Sequence, residues 1–115
     1  MKAALFAFNG EPMCFVHVLL NAFDLRDKGW EATIVIEGSA TKLVREFHEN
    51  PDAPFAPLYR KAKEANLIGA VCQACATKMG SLDSAKQQGL PLGNDMAGHP
   101  SMSAYLDDGW QVFTF

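Results

Sequence analysis

Three cysteines and three histidines hold most of the chemistry open to this chain, and two of the cysteines form Cys72-Gln73-Ala74-Cys75. The apolar run Leu67 to Val71 reads as a short strand that delivers Cys72 to its end and turns into a helix beginning near Gln73. A thiol at such a junction faces the unpaired N–H groups of a helix N-terminus, which favour the thiolate. Cys72 is therefore the candidate nucleophile. Cys75, one helical turn further on, is placed to modulate it or to resolve a persulfide or sulfenate on it into a disulfide. The motif lacks the aromatic and proline neighbours of a thioredoxin-type site, and a buried cysteine packing at a strand end is the competing reading.

His99 lies in the loop Gly93 to Pro100. It can serve as proton partner to a reactive thiol, with Asp95 of the same loop to orient it, or it can cap the following helix with Pro100 at the first helical position. Cys14 and His17 share one face of the first predicted helix at i and i+3. Joined with Cys72 and Cys75, or with His99, they could complete a tetrahedral zinc site, since thiolate and imidazole are the natural zinc ligands. No zinc or other cofactor is required by the thiol reading. There is no glycine-rich dinucleotide fingerprint and no Walker A pattern.

These residues need a scaffold, and the chain supplies alternating apolar runs and amphipathic stretches. Strands are expected at residues 2–8, 32–36, 67–71 and 110–115, with a short or edge strand at 90–92, where Pro91 cannot donate to a ladder. Helices are expected at about 13–28, 40–49 (capped by Ser39), 55–66, 73–80, 81–88 and 101–108. Alternating strands and helices with short loops predict a single α/β domain over residues 1–115. Its sheet has about five mainly parallel strands with helices on both faces. Ligands in such sheets bind outside the carboxyl ends of the strands. Loops 9–13, 37–39, 72–75 and 93–99 therefore converge on one rim, which brings Cys72, Cys75 and His99 together with Cys14 nearby.

At 115 residues the chain has the size of one domain. Its net charge of −3 and the absence of any large Lys/Arg cluster argue against nucleic acid or an anionic membrane as partner. No window reaches the ~20 apolar residues of a membrane span. The N-terminal run lacks the length and cleavage site of a signal peptide, so a cytoplasmic protein is expected. An odd number of cysteines fits a structural disulfide framework poorly.

The apolar first strand, Glu37-Gly38-Ser39 at the end of the second, Cys72 ending the third with Gly80 beyond it, and the closing helix–strand together resemble the DsrE/DsrF-like family of small sulfur-relay α/β proteins, TusD-like in character. The resemblance runs over the full length. It implies a flavodoxin-like five-stranded parallel sheet and a homo-oligomer, trimeric or hexameric, that exchanges sulfur with donor and acceptor proteins. It also implies that Cys72 matches the persulfide-carrying cysteine of the relay members. Cys75 and Cys14 depart from the family pattern. The expected function is thus sulfane-sulfur or thiol redox handling at Cys72 and Cys75. The alternative is a non-catalytic oligomeric domain that holds a metal or small ligand at its Cys/His-lined rim.

Overall fold

The computed structural model describes residues 1–115. Strands β1 (Lys2–Ala7), β2 (Glu31–Ile36), β3 (Ile68–Cys72), β4 (Leu92–Gly93) and β5 (Gln111–Thr114) form one sheet in the order β4-β3-β2-β1-β5, and every neighbouring pair is parallel. Helices α1 (Pro12–Asp27), α2 (Thr41–Glu49), α3 (Ala56–Glu64), α4 (Gln73–Met79), α5 (Leu82–Gln87) and α6 (Met102–Asp107) connect them. The expected α/β class holds. No helix is long and apolar enough to cross a membrane.

The order explains an uneven division of the helices. From β1 to β4 the chain steps steadily in one direction, and right-handed crossovers of that kind leave their helices on one face. That face holds the main core, in which Leu5, Ile34, Ile36 and Val71 meet Phe15, Leu19, Leu43, Val44 and Tyr59. Only the last connection returns across the sheet, so α6 alone covers the other face. Tyr105 and Met102 pack there on Ala4, Phe6, Val35 and Ala70.

The β2–β3 register carries the detail that matters most for the site. Ile34 pairs with Ile68 but Val35 pairs with Ala70, so Gly69 is an extra, bulged residue. Glycine is favoured there because a Cβ on Gly69 would collide with Thr33 Oγ1. A one-residue slip reverses which face each later side chain takes. Val71 accordingly enters the main core while Ala70 joins the α6 face. By the same alternation Cys72 is directed away from the main helix layer.

Two expected helix caps are corrected. Ser39 does not cap α2, because a 3-10 turn at Gly38–Ala40 intervenes and Ala40 stands at the cap position. The Ser39 hydroxyl instead accepts from the Gly10 N–H at 2.9 Å and donates to the Phe8 carbonyl at 3.2 Å, tying the loop after β1 to the loop after β2. His99 does not cap the last helix either, since Ser101 takes that position and its own side chain makes no capping hydrogen bond. The expected strand at 90–92 is found one to two residues later, as the edge strand β4. Pro91 contributes its carbonyl to the Val71 N–H at 2.8 Å.

Candidate thiol–imidazole site

Cys72 is the last residue of β3 and the N-cap of α4. Its sulfur accepts from the Cys75 N–H at 3.3 Å, the contact that a thiol at a helix start is expected to make. The Cys72 thiol also approaches the Gly98 carbonyl at 3.8 Å. Cys72 is fully buried, whereas Cys75 is partly accessible.

The loop after β4 closes over this turn. The Ala74 N–H donates to the Gly98 carbonyl at 2.9 Å, and Met96 and His99 exchange backbone hydrogen bonds across a tight reversal. The reversal places His99 Nδ1 at 3.1 Å from Cys72 Sγ and at 3.6 Å from Cys75 Sγ. One imidazole nitrogen thus touches both thiols. Asp95 does not orient that ring, because its Oδ1 accepts from the Ser101 N–H at 2.9 Å and holds the start of α6.

Glu37 completes the surroundings. It follows β2, its backbone N–H donates to the Ala7 carbonyl at 2.8 Å, and it is only 6% exposed. Burial raises its carboxyl above the usual range and the positive charge available to His99 lowers it, with no hydrogen bond contributing. The ligand atoms of Glu37, Cys72, Cys75 and His99 all lie within 4.8 Å of one another. Sequence reasoning missed Glu37 because an acid after a strand is commonplace. Its place at the end of β2, beside a strand that ends in cysteine, was the available signal.

Cys14 and His17 are not brought to this cluster. Both lie on the exposed side of α1, where Phe15, Val16, Val18 and Leu19 take the core positions. The metal set of Cys14, His17, Cys72 and Cys75 is therefore not assembled; His99 and Glu37 occupy the places expected of Cys14 and His17.

The electrostatics differ from the expectation of a ready thiolate. Burial pushes the Cys72 thiol up to about 12, the Cys75 side chain adds to the rise, and only the Cys75 backbone N–H opposes it. A buried anion beside the Glu37 carboxylate is unfavourable unless a cation shares the space. Ionising Cys72 therefore requires a partner that takes its proton or neutralises its charge. Two cavities of 610 and 350 Å³ lie elsewhere and are lined by none of the four residues.

The chain is thus an α/β domain with an all-parallel sheet, in which two thiols at the end of β3 meet an imidazole from the loop after β4. No protein-family model matches the chain. The chain is 33% identical over 97 residues to the uncharacterized protein MJ0733 of Methanocaldococcus jannaschii, a match covering 84% of this chain and 76% of that protein. It belongs to that family. An uncharacterized protein of Archaeoglobus fulgidus is 40% identical over 48 residues, covering 42% of this chain and 79% of the relative. Among solved structures, the conserved protein of unknown function BT1422 from Bacteroides thetaiotaomicron superposes with a TM-score of 0.69 at 18% identity. That match covers 99% of this chain and 94% of that one, and it bears on the fold alone.

Proposed function

We propose that this chain carries sulfane sulfur on its Cys72–Cys75 pair, in the manner of the DsrE/DsrF-like proteins it resembles. The observation behind this reading is the single nitrogen, His99 Nδ1, within 3.1 Å of Cys72 Sγ and 3.6 Å of Cys75 Sγ. An imidazole in that position can accept the proton of whichever thiol reacts, which offsets the burial that otherwise keeps Cys72 protonated.

Accessibility orders the two thiols. A persulfide donor, R–S–SH, meets the partly exposed Cys75 first. Attack by the Cys75 sulfur on the outer sulfur breaks the S–S bond, releases R–SH and leaves Cys75–S–SH. Transfer of that sulfur to Cys72 restores the Cys75 thiol and leaves the persulfide on the buried residue, away from water and reductant. Attack by Cys72 on the inner sulfur of Cys75–S–SH instead gives the Cys72–Cys75 disulfide and releases hydrogen sulfide. In each step the displaced sulfur takes up the proton that the attacking thiol has passed to His99.

The test is intact mass of the metal-free, reduced chain after exposure to inorganic polysulfide. One added sulfur atom, removable by reductant, is expected. Cys72→Ser should abolish stable loading, and Cys75→Ser should slow it. An unchanged mass, or loading that persists in the double variant on Cys14, overturns the proposal.

A further inference from the structure

We infer that Glu37, Cys72, Cys75 and His99 form a tetrahedral site for a divalent metal ion of the zinc class, with Glu37 as the fourth ligand. Four donors from three separate chain segments already lie within 4.8 Å of one another. Zinc bond lengths of about 2.3 Å to sulfur and about 2.0–2.2 Å to nitrogen or oxygen set the sulfur-containing edges of such a tetrahedron at about 3.5–3.8 Å. The two sulfur–nitrogen edges present, 3.1 and 3.6 Å, are close to that length. Movements of a few tenths of an ångström by these two sulfurs would fit the ion, with somewhat more for the wider pairs.

The chemistry of the donors selects the ion. Two thiolates disfavour magnesium and calcium, which take oxygen ligands, whereas two sulfurs with an imidazole and a carboxylate suit zinc. Burial supplies the second argument. Glu37 is 6% exposed and its carboxylate lies within 4.8 Å of two thiols and an imidazole, so a cation shared among them would offset the burial of its charge. Binding would release the two thiol protons, giving a centre of net charge −1 from one divalent ion, two thiolates, one carboxylate and a neutral imidazole. Four protein donors close the coordination sphere, so the ion would join the ends of β2 and β3 to the loop after β4. This inference does not depend on the sulfur reading: zinc and a persulfide would compete for the same two sulfurs, and each is detected by its own mass.

The experiment is a zinc titration of the metal-free, reduced full-length chain. It is read by native mass spectrometry and by competition with a chromophoric chelator. Cobalt(II) is added in parallel for its tetrahedral absorption bands and its thiolate charge-transfer band. One ion per chain is expected, with two-sulfur cobalt spectra. Glu37→Gln, nearly isosteric, should weaken zinc by roughly 10-fold or more and alter the cobalt bands. His99→Ala and Cys75→Ser should weaken it at least as far, while Cys14→Ser and His17→Ala leave it unchanged. Circular dichroism of each variant separates a lost ligand from a lost fold, and Glu37→Gln keeps the test informative if a cysteine variant misfolds. Absence of uptake by the wild-type chain, or uptake that depends on Cys14 or His17 but not on Glu37, overturns the inference. Zinc uptake without sulfur loading leaves it standing and removes the sulfur reading; sulfur loading without zinc uptake does the reverse.

Discussion

The reversal that holds His99 against the thiols makes opposite demands on two adjacent residues, and substitutions there should move stability in opposite directions. Met96 N–H donates to the His99 carbonyl at 2.8 Å and His99 N–H donates back at 3.0 Å, so Ala97 and Gly98 are the two central residues of the turn. Both have positive φ, 51° at Ala97 and 89° at Gly98, as a type I′ turn requires. An L-residue held there forgoes roughly 1–2 kcal/mol, and asparagine tolerates the region better than alanine. Ala97→Asn should therefore stabilise the chain by about 1 kcal/mol, raising the melting midpoint by roughly 4 °C for a chain of this size.

Gly98→Ala introduces the same strain. It also places a Cβ 3.2 Å from the Ala74 Cβ, where α4 must give way. The reduced freedom of the unfolded chain returns about 0.4–1 kcal/mol. A net loss of about 1 kcal/mol is expected. Urea unfolding of the three proteins measures both shifts. Because Gly98 also accepts from Ala74 N–H, Gly98→Ala should speed alkylation of Cys72, while Ala97→Asn should not. Midpoints that move in the same direction, or that do not move, refute the assignment of strain to Ala97 and of necessity to Gly98.

Two further predictions concern the thiol and the bulge that aims it. The Cys72 thiol is pushed up to about 12 from an ordinary 9.0, so between those values the native chain keeps a proton that the unfolded chain has released. The stability from this group is fully present below about pH 9 and is lost as pH rises toward about 12. Urea midpoints measured at about pH 8 and about pH 10 should therefore fall more in the wild type than in Cys72→Ser, and equal falls would count against a buried, protonated Cys72. Gly69→Ala sets a Cβ against Thr33 Oγ1 and should cost about 1–3 kcal/mol as an overpacked contact. Adding Thr33→Ala should recover most of that loss in a double-mutant cycle, whereas strictly additive effects would show that the bulge does not rest on this contact.

The sequence determined the class of fold and the identity of the nucleophile candidates, because those follow from local patterns. β-Branched and apolar runs marked all four long strands, helical spacing marked α1 and α2, and the strand-to-helix punctuation at Cys72 was legible from its neighbours alone. The rim position of Cys72, Cys75 and His99 followed from the rule that parallel strands deliver their loops to one end. Cys14 and His17 showed the limit of the method. Their spacing fixed a shared helix face, but not whether that face met the rim, and the larger apolar residues of α1 claimed the core side.

What the tertiary structure decided is long-range. The strand order put Glu37 beside Cys72 by pairing β2 with β3, a neighbour relation that lies between residues far apart in sequence. The Gly69 bulge reversed the facing of β3, which a strict alternation reading gives the wrong way round. Burial then reversed the expected ionisation: the helix start that favours a thiolate in water is here closed over by the His99 loop, and desolvation outweighs it. Local pattern selects residues for chemistry, but their distances and charge states are set by packing between segments that no local pattern relates.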